Sequence, residues 1–343
     1  MAGNQKLFRL AIKMMKTICT GSIAYDYLMT FPGHFHEHIV PERLDSISLS
    51  FLVDSMVRQR GGVATNIAYT MALLGDRPIV FGTVGEDFEE YRQFLESVGV
   101  DTRYIRVVPG VFTASFFANT DLDNNQICSF YPGAMTYARD FSLMEFREGL
   151  PDLVIISPND PVAMDRYVAE CKALGVRYIY DPSQQVVRVS GEELRRGVEG
   201  AFGLFVNEYE FELLQRHTGL SAADICAGVP LVVVTQGAKG AVIYAEGKEF
   251  RIRAVKPSHI ADPTGVGDAF RAGFVRGFQL GLDWVTCGQM GALAAAYCLE
   301  QKGPQSHVFT REEFVQRYRQ TFGENEALVT LLEDSINMTR RNS

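Results

Sequence analysis

Between Asp152 and Gly237 the sequence switches repeatedly between two hydrophobic periods. "DLVIIS" (152–157), "VRYIYD" (176–181), "AFGLFV" (201–206) and "PLVVVTQG" (230–237) are short apolar runs rich in β-branched or aromatic residues, which predicts buried strands. Helical patterns separate them: Pro161 to about Leu174, closed by Gly175; the short polar stretch "GEELRRGVEG"; and Glu208 to about His217. Strands alternating with helices imply an α/β fold, a mostly parallel central sheet with helices on both faces. Ligands of such sheets bind beyond the carboxyl ends of the strands, where Asp181, Asn207 and Thr235 fall.

The first third reads differently. "TICTGSIAYDYLMTF" (17–31) is strand-like on both sides of Gly21-Ser22, and "ERLDSISLSFLVDSMVRQR" (42–60) alternates around Ile47, Leu49 and Phe51. "VFTASFFANT" (111–120) and "QICSFYP" (126–132) alternate and are aromatic. These pieces predict a small antiparallel β lid, inserted as segments at about 33–52 and 104–130. Between them "GGVATNIAYTMALLG" (61–75) predicts a helix opened by two glycines and ended at Gly75. Further helices are expected over 268–281 and 284–301, the second Ala-rich and buried. The expected organisation is an N-terminal extension over 1–14, one α/β domain over 15–334 and a tail over 335–343.

Bulk properties exclude several roles. A length of 343 residues fits one large α/β domain or two modest ones. The net charge of −8 and the lack of any Lys/Arg run argue against a nucleic-acid partner. The six cysteines form no C-x-x-C pair and suit a reducing, cytoplasmic setting. No apolar run is long enough to span a membrane. Residues 1–16, "MAGNQKLFRLAIKMMK", carry Lys6, Arg9, Lys13 and Lys16 and no acid, a faint likeness to a targeting or membrane-surface helix. The uninterrupted apolar core and small-residue cleavage site of a secretory signal are missing. The plainer reading is a dispensable extension, or a start at Met14 or Met15, since the first strand signal begins at Thr17.

"ADPTGVGDAF" (261–270) carries the chemistry. A helix N-terminus presents unpaired N–H groups and a positive dipole end, and glycines let an anion approach the backbone. Gly265, Val266, Gly267 and Asp268 would therefore supply an anion hole. A P-loop would read G-x-x-x-x-G-K-S/T, and here Asp268 stands where a lysine would be expected. A carboxylate repels phosphate but, beside it, can take a proton from an attacking hydroxyl. The same residues would also suit a turn and a helix cap. Three further groups stand out. In "GGVATN", Gly62 permits close approach by a ligand and Asn66 follows in the next turn; upstream, Ser22 and Asp26 flank a strand–turn, and a carboxylate can accept hydrogen bonds from two vicinal hydroxyls. In "NEYE", Asn207 and Glu210 share a helix face and could order Mg²⁺ waters, though such spacing is common on exposed helices. In "TQGAKG", Thr235, Gly237 and Gly240 form a tight loop that could touch nucleotide or simply turn a hairpin.

Together these pieces resemble the ribokinase/PfkB carbohydrate-kinase family. "GGVATN" is similar to its N-terminal glycine signature, "DPTGVGD" to its D-T-x-G-A-G-D signature and "NEYE" to its N-x-x-E magnesium motif, with likeness running from about Lys16 to about Phe322. Within the family, "TGSIAYDYLMTFPG", "SLSFLVD", "SFYPGAM", "DPSQQ" and "DPTGVGDAFRAGF" resemble bacterial adenosine kinases of the mycobacterial type. The resemblance implies a ribokinase-like fold and phosphorylation of the adenosine 5′-hydroxyl by ATP, giving AMP and ADP in purine salvage. Asp268 would be the general base. Ser22, Asp26, Ser50, Gly62 and Asn66 would hold the ribose, with Phe116 and Phe130 on the adenine, across a homodimer interface formed by the lid. Gln184 and Gln185 would line the substrate and nucleotide sites. Asn207, Thr235, Gly237 and Gly240 would contact ATP, Glu210 would order Mg²⁺, and the loop around Asp262 would be the site of any K⁺. The departures are Val266 for the usual alanine, where only the N–H is needed, and Pro263, which biases Asp262 toward an extended conformation.

Competing readings remain. A ribose or fructose kinase would present polar groups where this lid has aromatics. A kinase of another purine nucleoside would share every motif. A non-catalytic nucleoside-binding protein would not need Asp268, and an oxidoreductase would carry a G-x-G-x-x-G after the first strand. "HFHEH" places His34, His36 and His38 in alternation, but no fourth metal ligand is near in sequence, and a solvated lid edge explains them.

Overall fold

The computed structural model describes residues 15–39 and 48–332. The expected extension over 1–14, the tail over 335–343 and the middle of the first lid segment, 40–47, lie outside the described residues. In chain order, β1 (Thr17–Thr20) leads into β2 (Ala24–Thr30), a single helical turn α1 (Phe35–His38) and β3 (Ser55–Gly61). Helix α2 (Val63–Leu73), β4 (Ile79–Val84), α3 (Glu89–Ser97) and β5 (Asp101–Val107) precede the hairpin of β6 (Ala114–Thr120) and β7 (Gln126–Tyr131). Then come β8 (Leu153–Ile156), α4 (Pro161–Leu174), β9 (Arg177–Tyr180), α5 (Gly191–Val198), β10 (Gly203–Asn207), α6 (Glu208–Thr218), α7 (Ala222–Gly228) and β11 (Leu231–Thr235). The hairpin β12 (Ala241–Ala245) and β13 (Lys248–Ile252) is followed by α8 (Val266–Gln279), α9 (Trp284–Leu299) and α10 (Arg311–Phe322).

Among the described residues the strands form two sheets, of nine and four strands. The large sheet has the order β13-β12-β11-β10-β9-β8-β1-β4-β5. It is parallel from β11 to β5, and β12 and β13 turn back antiparallel at one edge. From β1 the chain builds outward to β4 and β5, returns to the far side of β1 with β8, and builds outward again. The order therefore reverses between β1 and β8, and the crevice beyond their carboxyl ends is where open sheets take ligands. Ser22 N–H donates to the Pro158 carbonyl over 2.7 Å there, tying the two strand ends together.

Successive residues of one strand serve opposite cores, which is why the strands read as continuous apolar runs. Ile155 packs in the cluster of Phe205, Phe274 and Met290, whereas Val154 and Ile156 pack with Tyr167, Leu194 and Leu214. The Ala-rich α9 is buried on the first side, as expected.

The small sheet has the order β3-β2-β6-β7, antiparallel at both flanks with β2 and β6 parallel at its centre. Its segments differ from the expected ones. Residues 33–52 hold the excursion between β2 and β3, and 104–107 finish β5 at the edge of the large sheet. The edge strand β5 turns Ile105 inward between the half-buried Tyr104 and the exposed Arg106, a local alternation that a half-buried lid strand would also show. The histidines of "HFHEH" lie on and beside α1 rather than on a strand. His34 Nδ1 and His36 Nδ1 stand 2.8 and 4.0 Å from Asp123 Oδ2 at the exposed lid edge.

Candidate active site

Two helix N-termini meet at the switch-point crevice. The first is that of α8, which Gly265 caps with φ of 76°. Only glycine enters this left-handed region without strain, and a Cβ at 265 would also run into Pro304. Asp262 holds the preceding turn: Oδ1 accepts from Thr264 N–H at 2.9 Å and Oδ2 from Gly303 N–H at 3.0 Å. The N–H groups of the first turn of α8 have no intrahelical partner and face outward from the helix end.

The second is that of α2. Gly62, with φ of 95°, passes so close to the β1–β2 connection that a Cβ would lie 2.5 Å from the Ser22 carbonyl. Ser22 Oγ accepts from Val63 N–H at 3.1 Å, so this serine caps the helix. One turn in, Asn66 Nδ2 donates to Asp268 Oδ2 at 2.9 Å. The Asn66 amide is oriented from behind by Gln305 Nε2, which donates to Asn66 Oδ1 at 2.8 Å and also bonds the Tyr91 hydroxyl.

Asp268 is thus a buried carboxylate at a helix start. Burial raises its pKa, while Arg271 and the Asn66 hydrogen bond pull it back down and Glu210 adds to the rise. Asp26 lies beside it on β2. Burial, then the charges of Asp262 and Asp268, push Asp26 up to about 6. Its carboxylate rests on the backbone at Gly61, where a Cβ would lie 2.6 Å from Oδ2.

Strand register carries the site onto the lid. Asp26 pairs with Phe116 on β6, and Phe116 pairs with Phe130 on β7. Residues directly opposite one another share a sheet face, so the carboxylate and both aromatics form one row facing the same way.

The expected nucleotide side lies at the ends of β10 and β11, where Asn207 and Thr235 are register partners. Asn207 and Glu210 form a reciprocal capping box: Asn207 Oδ1 accepts from Glu210 N–H at 2.8 Å, and Glu210 Oε2 accepts from Asn207 N–H at 2.9 Å. The structural role of "NEYE" is therefore real, and the capping box uses only Oε2 of the buried Glu210, whose charge is felt by Asp181, Asp268 and Arg271. The 236–240 loop does turn a hairpin, and Gln236 Nε2 bonds Glu208 Oε1 at 2.9 Å, which sets the loop against the start of α6.

Other expected residues are less engaged. Ser50 is exposed in the irregular stretch before β3. Gln184 is exposed, whereas Gln185 is buried and donates to the Asn159 carbonyl at 2.8 Å, with its Oε1 unpartnered among the described residues. A hollow of about 810 Å³ lined by Asp76, Asp101 and Arg311 lies at the opposite, amino ends of β4 and β5, away from this chemistry.

A model of the pfkB family of carbohydrate kinases matches residues 23–311. The chain belongs to the PfkB family. A curated relative, the nucleoside kinase of Methanocaldococcus jannaschii, is 31% identical over 310 residues, covering 89% of this chain and 97% of that protein. The solved structure of Burkholderia thailandensis nucleoside kinase in complex with inosine is 39% identical, with a TM-score of 0.80, covering 90% of this chain and 99% of that one. The adenosine kinase of Sinorhizobium meliloti, at 21% identity and a TM-score of 0.69 over 90% of this chain and 99% of that one, shares the fold.

This PfkB site also holds groups to which the sequence reading assigns no role. Arg271 reaches Asp181 with Nη2 at 2.6 Å and Asp268 with Nη1 at 3.5 Å. Ser157 Oγ donates to the other Asp181 oxygen at 3.1 Å. Burial raises Asp181 to about 7 against the pull of Arg271. Arg271 was legible in principle, since it lies three residues after Asp268 and so on the same helix face. Gln305, which orients Asn66, left no signal in sequence. The donor set fits a hard cation on one side: Glu210 Oε1, left outside the capping box, is the carboxylate oxygen chemistry that Mg²⁺ takes through water. The Asp262 carboxylate already accepts one backbone N–H on each oxygen, so its evident work is to shape the turn.

Proposed function

We propose that this chain transfers the γ-phosphoryl group of ATP to the 5′-hydroxyl of adenosine, giving AMP and ADP, as a cytoplasmic enzyme of purine salvage. Within its family the chain is a nucleoside kinase. The observation that carries the acceptor is the row Asp26–Phe116–Phe130 on one face of the lid. It offers a carboxylate for two ribose hydroxyls and, in register beside it, two rings for a base.

In this reading the nucleoside lies between the lid row and Asp268. Asp26 accepts from the ribose hydroxyls, with Ser22, Ser50, Gly62 and Asn66 lining the sugar and Gln184 and Gln185 the far side. Asp268 takes the 5′-hydroxyl proton as the new P–O bond forms and the bond to ADP breaks. The backbone N–H groups from Gly265 to Asp268 hold the charge on the transferring group. Asn207, Thr235, Gly237 and Gly240 contact the nucleotide. Mg²⁺, held through water at Glu210, would supply charge neutralisation to the phosphates, and K⁺ near Asp262 would support the turn. Lid closure excludes water and aligns the reacting atoms. The exposed edge of β7, with Ile127, Phe130 and Tyr131 open, suits a homodimer through the lid.

A second reading, a kinase of another purine nucleoside, is favoured by the Burkholderia thailandensis relative in complex with inosine. Coupled ADP release measured over adenosine, inosine, ribose and fructose ranks the acceptors. Adenosine is expected to give the highest kcat/KM. Inosine ahead would favour the second reading, and ribose or fructose ahead would remove the base from the account.

A further inference from the structure

The phosphate-binding turn of this chain has no lysine, yet its first helical turn is not short of positive charge. Arg271 follows Asp268 by three residues on α8, and its side chain is only 12% exposed. Its guanidinium lies directly on the anion-hole backbone, where a Cβ at Gly267 would meet Nη1 at 2.8 Å. One end of the fork is fixed: Nη2 donates to Asp181 Oδ1 at 2.6 Å, and Asp181 is itself fully buried and held by Ser157. The other end stands 3.5 Å from Asp268 Oδ1, on the opposite side of the carboxylate from the Asn66 bond to Oδ2. Nε is buried without a partner among the described residues. A long cationic side chain buried with a donor unmet is not what helix packing alone selects.

We propose that Arg271 is a positioning residue for the general base: anchored by Asp181, it holds the Asp268 carboxylate charged and aimed at the acceptor hydroxyl. The inference rests on phosphoryl transfer at this site. The groups that act on Asp268 by charge or hydrogen bond are Arg271 on its own helix, Asn66 from α2 and Glu210 from α6, and its own charge reaches Asp26 on β2, Asp181 after β9 and Cys298 on α9. Among these described groups Arg271 is the one cation. Without it, burial and the neighbouring carboxylates would favour a protonated, idle base, consistent with the downward pull of Arg271 on Asp268. Asp181 completes the device. When the hydroxyl proton has passed to Asp268 and ADP has left, the guanidinium beside a now neutral carboxyl keeps a buried counter-charge.

The test is kcat against pH at saturating nucleoside and ATP, for Arg271→Gln, Arg271→Lys and Asp181→Asn beside the unaltered enzyme. Activity falls on the acid side as the base protonates. Arg271→Gln is expected to lower kcat about 100-fold and to move the acid limb about one unit to higher pH. Arg271→Lys is expected to keep the limb near its original place while losing part of the rate, because charge is retained and the fork is not. Asp181→Asn frees the guanidinium to close on Asp268, so its limb is expected to move to lower pH. It is read independently should the glutamine variant not fold. An unmoved limb in a folded Arg271→Gln or Asp181→Asn enzyme would overturn the proposal, whatever the loss of rate. Failure of the unaltered enzyme to release ADP with any nucleoside would instead overturn the phosphoryl-transfer reading.

Discussion

Asn66 and Asp268 stand 202 positions apart in the chain and share a hydrogen bond of 2.9 Å. The bond joins the first turns of α2 and α8, so two glycine-started helices from opposite ends of the sequence are locked to one carboxylate. Each oxygen of Asp268 then has a defined neighbour, Asn66 on one and Arg271 on the other.

Removing the carboxylate or its amide partner should separate chemistry from binding. Asp268→Asn is expected to lose about 10³-fold or more in kcat while adenosine still binds, read by calorimetry. Asn66→Ala should lose less, about 10-fold to 100-fold, with the acid limb moved to higher pH because a bond that favours the charged form is gone. A fully active Asp268→Asn enzyme would remove Asp268 as base.

Asp26 predicts a pH dependence of binding. Its carboxyl is pushed up to about 6 by burial and by Asp262 and Asp268. A protonated carboxyl accepts fewer hydrogen bonds, so the KM for nucleoside should rise as pH falls through about 6 and stay flat above it. Asp26→Asn should raise KM about 10-fold or more with a smaller effect on kcat, as expected for an interaction made equally in ground and transition states. A KM that is independent of pH across this range would argue against the role.

Gly265→Ala should destabilise the fold as well as the site. The position needs φ of 76°, and the added methyl would press into Pro304. Gly219 offers a control, because it has φ of 69° and open space around its Cβ position. Urea unfolding should show a cost of about 1 kcal/mol for Gly219→Ala from backbone strain alone and about 2–4 kcal/mol for Gly265→Ala, where overpacking adds. Equal costs would mean that Pro304 yields freely.

The lid aromatics should govern discrimination. Phe116→Ala and Phe130→Ala are each expected to lower kcat/KM for adenosine about 10-fold, from lost ring contact, and to leave any rate with ribose unchanged. Equal losses with both acceptors would show that the rings support the lid itself.

Much of this protein was legible along the chain because the signals are local. The four strands read between Asp152 and Gly237 became β8 to β11, and the two glycine turns became the two helix starts. From the sequence no element is expected for β4 and α3, and the expected lid segments at 33–52 and 104–130 start after β2, stop short of β3 and take in the end of β5. An edge strand of the large sheet and a lid strand both alternate, and only their hydrogen-bonded neighbours tell them apart. The capping box in "NEYE" shows the reverse case, where one pair of residues satisfies a helix end and faces the site at the same time.

By itself the sequence determined the four central strands from β8 to β11, the two glycine-started helices, and which carboxylate stands at the start of the second. Those follow from hydrophobic period, from the conformational freedom of glycine and from the free N–H groups of a helix start. Only the tertiary structure decided that Asp26, Asp181 and Asp268 crowd one crevice, that Arg271 stands among them, and that Phe116 and Phe130 continue the row from Asp26. The reason is physical. Buried charges are set by their neighbours, and here the neighbours come from β2, β9, α2 and α8, brought together by the reversal of strand order between β1 and β8.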